Sequence, residues 1–206
     1  IVVCNKWDLA GKMLQEGNED EYNEIDKRLN IWEDLGYKVL RISAKTGEGM
    51  TEFAELLEDH LSAFVGQSGV GKSSLINVMD NTCVLKTGSL SQKYGRGCHT
   101  TTKGTLIHLT LNETLVDGIQ GRKANIIDTP GIRRFVLDDI QADDLALYFR
   151  EFEPHVGKCK FGLGCKHKTE PDCAILLAVE NKEITPERYD SWSRIANEIR
   201  TGTWED

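Results

Sequence analysis

The chain has 206 residues, 39% of them hydrophobic and 28% charged, a balance typical of soluble globular proteins. Its longest apolar run, residues 173–179, is far too short to span a bilayer. The net charge of −8 argues against non-specific nucleic-acid binding by the chain as a whole, although residues 156–168 contain four lysines and no acid. The six cysteines favour a reducing compartment, where clustered cysteines bind metal more often than they pair.

Apolar β-branched runs alternate with amphipathic stretches over the first two-thirds of the chain. Strands are predicted at residues 1–4, 38–42, 63–65, 105–111 and 124–127, and helices at 22–35, 50–61, 72–80 and 138–151. This alternation predicts a mostly parallel sheet with helices on both faces and a ligand site at the carboxyl ends of the strands. Two more helices are predicted at 174–181 and 186–200, the second with Thr185 as its N-cap and Pro186 in its first turn.

Two places in this pattern are unusual. A domain rarely begins inside a core strand, so we expect further residues before Ile1. Around residues 60–63 a predicted helix runs straight into a predicted strand. Either that helix ends early or loop residues are absent there.

A glycine-rich segment, residues 66–73, matches the phosphate-binding loop pattern in full and lies between a predicted strand and a predicted helix. Its glycines let successive N–H groups face a phosphate, and the following helix adds its positive end. Lys72 would reach the β- and γ-phosphates, and the Ser73 hydroxyl would ligate Mg²⁺. The alternative is a glycine-rich turn that matches by chance. The motif predicts a nucleoside triphosphate without specifying its base.

Two short motifs predict that the base is guanine. Asp8 can accept hydrogen bonds from the N1–H and exocyclic amine of guanine, which adenine does not offer. Asn5 would contact the other edge of the purine, and the Lys6 stem would cover its face. A second motif follows the strand at 38–42 and would offer a backbone N–H to the guanine oxygen; it consists of Ser43, Ala44 and Lys45. Each motif alone could be an ordinary turn at a strand end.

Two later segments complete the predicted nucleotide site. Asp128 follows a strand and would hold Mg²⁺ through water, and Gly131 would meet the γ-phosphate through its N–H. Residues 97–102 suit a mobile switch in which one threonine ligates Mg²⁺ only when the γ-phosphate is present. We favour Thr101 for that role, with Thr100 and Thr102 as structural alternatives.

The residue that positions the attacking water is not evident. Ras-type GTPases place a glutamine after the motif's glycine, and here that position is Ile132. Unaided hydrolysis should therefore be slow. His99 is the local candidate, because neutral imidazole can orient water near pH 7. The alternative is a histidine that only packs or caps in the switch.

A second constellation, near the carboxyl end, has the composition of a structural zinc site. Its ligands would be three thiolates and one imidazole, a closed tetrahedral set without an open water position: Cys159, Cys165, His167 and Cys173. The alternative is four reduced, unligated residues. The lysines around this loop could form a local phosphate-contacting patch. Cys4, Cys83 and Cys98 are interpreted as free thiols.

The order of these motifs resembles the circularly permuted RsgA/YjeQ GTPases, which assist maturation of the small ribosomal subunit. The resemblance implies an α/β P-loop NTPase fold, a Ras-like three-layer sheet in permuted topology, over residues 1–150. A small helical zinc-binding domain over 151–206 would follow. It also assigns phosphate contacts to residues 66–74 one by one: Gly66, Gln67, Ser68, Gly69, Val70, Gly71, Lys72, Ser73 and Ser74.

The same resemblance implies a function and its partners. It implies a GTP hydrolase of the bacterial cytoplasm, stimulated by the small (30S) ribosomal subunit and its rRNA, with GTP/GDP, Mg²⁺ and one Zn²⁺ bound. We expect a monomer without a membrane partner. His99 occupies the place of a proposed catalytic residue of the family. Members of the family begin with an OB-fold domain, and we expect no such domain within these 206 residues; the first two zinc-loop cysteines are separated by five residues rather than the commoner four.

Two other functions compete with this prediction. The chain could be a zinc-stabilised RNA- or protein-binding scaffold that keeps nucleotide as a structural ligand. Ile132 motivates this alternative, because it occupies the position of the glutamine that orients water in Ras-type GTPases. ATP use is disfavoured by Asp8.

Overall fold

The structure is a computed structural model that describes residues 1–83, 105–112, 122–129, 137 and 139–203. The chain forms two compact units, Ile1–Arg133 and Arg134–Asp206. Each unit has its own cluster of buried apolar side chains. No helix in the described part of the chain is long and apolar enough to cross a membrane.

The first unit is built on two small sheets. Their strands are β1 (Val2–Cys4), β2 (Val39–Arg41), β3 (Leu61–Phe64), β4 (Thr105–Thr110) and β5 (Lys123–Asp128). β1 pairs with β2 in parallel, in one sheet, and the other sheet has the order β3-β5-β4. β3 and β5 run parallel, whereas β4 runs antiparallel to β5. The predicted mostly parallel arrangement is therefore confirmed: β1, β2, β3 and β5 form parallel pairs, and β4 is the one antiparallel strand among the described strands.

Four helices accompany these strands: α1 (Trp7–Gln15), α2 (Glu19–Asp34), α3 (Met50–Leu57) and α4 (Lys72–Met79). The core of the unit contains the buried side chains of α3 and α4 and of the strands β2, β4 and β5. α3 ends at Leu57, so the helix at 50–61 was predicted too long and Glu58 to His60 form the turn. Of the two explanations for the abrupt junction, early helix termination is correct.

The second unit contains α5 (Ala174–Glu180) and α6 (Pro186–Thr201). The Thr185 hydroxyl accepts a hydrogen bond from the Arg188 N–H and Pro186 is the first helical residue, which confirms the predicted helix start. The predicted helix at 138–151 is wrong over its described residues, which form turns and one 3₁₀ helix, Leu145–Tyr148. The buried residues of this segment, Ala142, Leu145, Ala146, Phe149 and Phe152, have the spacing of an α-helical face, so the sequence pattern alone predicts an α-helix that tertiary packing replaces with turns.

The described residues from Leu137 onward belong to the second compact unit, which therefore begins before residue 151. Leu145, Ala146 and Phe149 are buried in its core. The division into functional domains at 150/151 stays a prediction.

Candidate nucleotide site and metal centre

The phosphate-binding loop joins β3 to α4 and has a backbone that requires glycine. Gly69 and Gly71 have φ angles of +88° and +99°, in the left-handed region that favours glycine. The Lys72 ammonium donates to the carbonyl oxygens of Gly66 at 2.5 Å and Gln67 at 3.1 Å. It therefore lies over the loop at the amino end of α4, where a phosphate would also meet backbone N–H groups.

Asn5 and Lys6, although more than sixty residues away in sequence, bind this loop directly. The Asn5 side-chain amide donates to the Val70 carbonyl at 3.0 Å, and the Lys6 ammonium donates to the Gly69 carbonyl at 2.6 Å. The Asn5 side-chain oxygen also accepts from the Ala44 N–H at 3.2 Å. The structure thus places the two predicted guanine motifs beside the phosphate loop.

Ser43 connects the second guanine motif to the first. It is fully buried, and its hydroxyl donates to an Asp8 carboxylate oxygen at 2.8 Å. The same hydroxyl oxygen accepts from the N–H groups of Lys45 at 3.3 Å and Thr46 at 3.2 Å. Ser43 therefore fixes both the direction of the Asp8 carboxylate and the path of the loop that follows β2.

Asp128 ends β5 at the same edge of the first unit. It pairs in register with Phe64, the last residue of β3, just before the phosphate loop. Burial raises the pKa of the Asp128 carboxyl, and the Lys72 ammonium opposes part of that rise. A partly desolvated carboxylate whose charge interacts with the loop lysine is an oxygen ligand of the kind that Mg²⁺ prefers.

Three predicted site residues, His99, Thr101 and Gly131, lie outside the described residues. The described ones meet at one edge of the first unit. They are Asn5, Lys6, Asp8, Ser43, Ala44 and Lys45 for the base, and Asp128 and residues 66–74 for the phosphates and Mg²⁺. Sequence reasoning missed the role of the Ser43 hydroxyl, because its partner Asp8 is thirty-five residues away.

The four predicted metal ligands of the second unit converge at one point. Their donor atoms all lie within 4.8 Å of one another, and all four residues are buried: Cys159, Cys165, His167 and Cys173. The His167 Nδ1 atom lies 3.5 Å from the Cys159 sulfur and 3.4 Å from the Cys173 sulfur. Such a set matches tetrahedral coordination of one metal ion.

The ionisation of these groups also favours a metal. Burial raises the pKa of the Cys165 thiol and raises that of Cys173 to about 12. Burial also lowers the pKa of His167, which keeps its imidazole neutral near pH 7. Buried thiolates need a compensating cation, so a bound metal would supply the charge that stabilises them.

Three residues that the sequence pattern did not single out support the metal centre. The Glu170 carboxylate accepts from the N–H groups of Lys166 at 3.0 Å, Lys168 at 2.8 Å and Thr169 at 3.0 Å. These hydrogen bonds, above all the one from the Lys168 N–H, lower the pKa of the Glu170 carboxyl to about 2.

The other two supports come from α6. The Tyr189 hydroxyl donates to the His167 carbonyl at 2.7 Å, and the Trp192 ring meets the His167 ring edge-on, with centroids 5.7 Å apart. Tyr189 and Trp192 are three residues apart on an amphipathic helix, and this spacing was the sequence signal that could have placed both side chains on the same helix face.

This fold and these residues define a P-loop protein of the nucleotide-binding class in which the predicted guanine motifs precede the phosphate loop, followed by a unit with a Cys₃His group that could hold a metal ion. Residues 1–138 match the family model described as RsgA GTPase. The chain belongs to the RsgA GTPase family.

Individual relatives show the same likeness. The chain is 41% identical over 199 residues to the small ribosomal subunit biogenesis GTPase RsgA of Haemophilus influenzae (strain 86-028NP), covering 97% of this chain and 52% of that protein. It is 42% identical over 195 residues to RsgA of Actinobacillus pleuropneumoniae serotype 5b (strain L20), covering 95% and 51%. The chain thus spans about half the length of the curated relatives it matches.

Two solved structures resemble the fold. The crystal structure of YjeQ from Thermotoga maritima matches this structure with a TM-score of 0.66 and 32% sequence identity. The match covers 96% of this chain and 59% of the YjeQ chain. YloQ, described as a circularly permuted GTPase, has a TM-score of 0.62 and 27% identity, covering 91% and 54%.

Proposed function

We propose that this chain hydrolyses GTP in the late assembly of the small (30S) ribosomal subunit, and that the subunit stimulates hydrolysis, which is coupled to release. The observation that carries the GTP assignment is the pair of hydrogen bonds from Asn5 and Lys6 to the phosphate loop. They support one site that reads base and phosphates together. The relatives' name, small ribosomal subunit biogenesis GTPase, supports the assembly role.

In this proposal each described residue has one task. Asp8, held by Ser43, accepts hydrogen bonds from guanine, and the Lys6 stem covers the base. Lys72 leaves its loop carbonyls to contact the β- and γ-phosphates. Mg²⁺, when bound, neutralises phosphate charge; Ser73, Thr101 and Asp128 would hold it.

Two residues outside the described part complete the scheme. His99 would orient the attacking water, and the Gly131 N–H would contact the γ-phosphate.

The test is GTP hydrolysis by the purified chain, alone and with small subunits, large subunits or rRNA alone. We expect stimulation of at least about tenfold by small subunits, equivalent to about 1.4 kcal/mol of barrier. No stimulation would contradict the ribosomal part. Lys72→Ala should abolish nucleotide binding. His99→Ala should lower only the stimulated rate, and His108→Ala, at an exposed histidine bound to Asn125 on neighbouring strands, is its control.

We further propose that the second unit holds one structural Zn²⁺ and contacts rRNA through the loop between Cys159 and Cys165. Phe161 and Leu163 in this loop are 53% and 78% exposed. The exposed lysines around it are Lys158, Lys160, Lys166 and Lys168. An exposed aromatic ring among cations suits an unpaired RNA base and its phosphates.

This contact predicts that Phe161→Ala weakens binding to small subunits several-fold, because base stacking contributes about 1–3 kcal/mol. Tyr148→Ala removes an aromatic residue that is 62% exposed, from the same unit, and serves as the control. Equal losses of binding in Phe161→Ala and Tyr148→Ala would contradict the proposed contact between this loop and rRNA.

We also propose that the protein is a cytoplasmic monomer without a membrane partner. Light scattering of the purified chain tests whether it is a monomer.

The alternative function is a scaffold that binds RNA or protein and keeps GTP or GDP as a structural ligand. Ile132, which stands where Ras-type GTPases have glutamine, favours it. GTP that survives many hours with purified small subunits would support the scaffold over the enzyme.

A further inference from the structure

The first residue of α1, Trp7, lies inside the predicted guanine motif, between Lys6 and Asp8. The Trp7 N–H donates to the Ile42 carbonyl at 2.9 Å, which ties the start of α1 to the residue that follows β2. Lys6, the N-cap residue, offers no capping side chain to this helix. The direction of Asp8, the second residue of α1, therefore depends on how Trp7 is held.

Two side chains contact the half-buried Trp7 ring. The Tyr22 ring packs against it with a centroid distance of 5.8 Å and an angle of 53° between the ring planes. The Arg41 guanidinium lies over it, 5.6 Å from the ring centroid. This is the distance of a cation–π contact, which is strongest when the ring is tryptophan. Tyr22 belongs to α2 and Arg41 to β2, so the ring connects α1 with both of these elements.

Arg41 is itself fixed by one face of α2. Its guanidinium donates to Asp26 at 2.9 Å, to Asn30 at 2.9 Å and to Glu33 at 2.6 Å. These acceptors are four and three residues apart, a spacing that places them on the same face of a helix. A planar guanidinium can hold several acceptors at its edge and still present its face to an indole ring, whereas a lysine ammonium cannot.

A purely structural interpretation would have Arg41 only anchor α2. All 16 residues of this helix belong to the described part of the chain, and among them only Leu29 is buried, so polar contacts do help to hold α2. Anchoring alone does not account for the contact with Trp7. Nor does it account for the place of Arg41 in the sequence, two residues before Ser43, whose hydroxyl binds the Asp8 carboxylate.

We propose that Arg41 is a positioning residue for guanine recognition, which acts through Trp7 to hold the Asp8 carboxylate towards the base. Ser43 fixes Asp8 at its carboxylate, and Trp7 fixes the backbone that precedes it. This inference rests on the proposed guanine contact of Asp8. It adds that α2, which carries none of the predicted nucleotide contacts, contributes to guanine affinity through one guanidinium.

The test measures how Arg41→Ala changes the affinity of the whole chain for GDP and for inorganic pyrophosphate, by titration calorimetry. The Kd of GDP should rise by about five- to tenfold, because a misdirected carboxylate binds the base less well. The Kd of pyrophosphate, which occupies only the phosphate loop, should stay within about twofold of its original value. Equal losses for the two ligands would place the effect in the fold of the first unit and overturn the proposal.

Arg28→Ala is the matched control for Arg41→Ala. Arg28 is an exposed arginine of α2 that forms an ion pair with Glu24 of the same helix, so its removal should leave both dissociation constants unchanged. A loss of GDP affinity as large as that of Arg41→Ala would overturn the proposal, because any damage to α2 would then have the same effect.

A double-mutant cycle tests whether Arg41 acts through Asp8. In the Asp8→Ala background, Arg41→Ala should cause no further rise in the Kd of GDP, because the carboxylate that Arg41 positions is gone. The same loss in both backgrounds would overturn the proposal. An unchanged Kd in Asp8→Ala itself would overturn the proposed guanine contact and this inference with it, so the two failures are distinguishable.

Trp7 provides a second cycle. Trp7→Ala should weaken GDP binding as much as Arg41→Ala does, and the two changes together should be no worse than either one. Trp7→Phe keeps a ring under the guanidinium and should recover most of the loss. Additive losses from Trp7→Ala and Arg41→Ala would show that the two residues act separately and overturn the proposal.

Arg41→Lys replaces Arg41→Ala if the alanine variant does not unfold cooperatively in urea. The lysine variant keeps the charge and the apolar stem but loses the fork that holds α2 and covers the ring. Its Kd for GDP should rise by about threefold, again with the Kd of pyrophosphate unchanged. Full GDP affinity in Arg41→Lys would show that charge alone suffices and overturn the proposal.

Discussion

Gly71 approaches Asn5 so closely that a Cβ atom on Gly71 would lie 2.3 Å from the Asn5 side-chain nitrogen. This nitrogen donates to Val70, so the packing of a glycine holds the base-reading motif against the phosphate loop. The permuted order of the motifs is compatible with this site because the contact is made in space. Asn5, near the beginning of the chain, and Gly71, in the phosphate loop, meet at one edge of the first unit.

Gly71→Ala should therefore weaken GDP and GTP binding more than Gly69→Ala does. Both residues have positive φ, so both variants strain the backbone, but nothing lies within 4 Å of a Cβ on Gly69. The difference isolates the displacement of Asn5. We expect about a tenfold difference in Kd, equivalent to about 1.4 kcal/mol, by titration calorimetry. Equal losses for the two variants would show that only backbone strain matters.

Ser43→Ala should reduce discrimination between guanine and hypoxanthine nucleotides. Without the hydroxyl, the Asp8 carboxylate loses a hydrogen bond and two backbone N–H groups lose their acceptor. A hydrogen bond to a charged group contributes about 1.5–3 kcal/mol. The ratio of IDP to GDP dissociation constants should fall, because IDP lacks the amine that Asp8 binds. Thr46→Ala, which removes an exposed hydroxyl from the same loop, should keep the ratio unchanged.

The sequence predicted those parts of the site in which chemistry demands particular residues at particular spacings. Residues 66–73, which form the loop between β3 and α4 and the start of α4, and the Cys₃His set, whose four donor atoms converge, are such cases. Elements without that constraint were missed. α1 begins within the guanine motif, at Trp7, and its N-cap residue Lys6 has a φ of 66° and provides no capping side chain, so no sequence signal marked its start. Glu170 acts through backbone N–H groups, which leave no trace in residue type.

Glu170→Gln should loosen the metal loop at neutral pH. The folded-state pKa of Glu170, about 2, is below its ordinary value of 4.5, so its ionised form stabilises the fold above about pH 4.5. That contribution is lost as the pH falls from 4.5 towards 2. The neutral amide should therefore speed metal release to a chelator by about three- to tenfold at pH 7, since charge-assisted hydrogen bonds are roughly twice as strong as neutral ones.

Asp172→Asn is the control for Glu170→Gln. Asp172 is an exposed acid of the same loop that pairs with Lys160 at 3.4 Å. Exposed ion pairs contribute little to stability, so its metal release should match that of the unaltered chain. Faster release from Asp172→Asn than from Glu170→Gln would contradict the role of Glu170.

Arg188→Ala should destabilise the second unit strongly. Its guanidinium donates to Glu151 at 2.6 Å, and the Glu151 side chain is only 5% exposed. The same guanidinium lies over the Phe149 ring, 4.5 Å from its centroid. Removing one partner of a buried ion pair typically costs about 3–5 kcal/mol, because the other charge stays buried. Adding Glu151→Gln should recover part of that loss in urea unfolding; no recovery would place the effect in packing alone.

Metal uptake by the Cys₃His centre should release protons. Burial raises the pKa of Cys165 and raises that of Cys173 to about 12, so both thiols are protonated near pH 7 when no metal is bound. Thiolates, rather than thiols, ligate zinc, so binding must displace these protons. Calorimetry of Zn²⁺ binding in buffers of different ionisation enthalpy should give about two or more protons released per metal. The apparent affinity should therefore fall as the pH decreases. Release of no proton would mean that the thiols already carry charge without metal, against the effect of their burial. Cys83→Ser, which alters a thiol of the first unit, should leave the proton count unchanged.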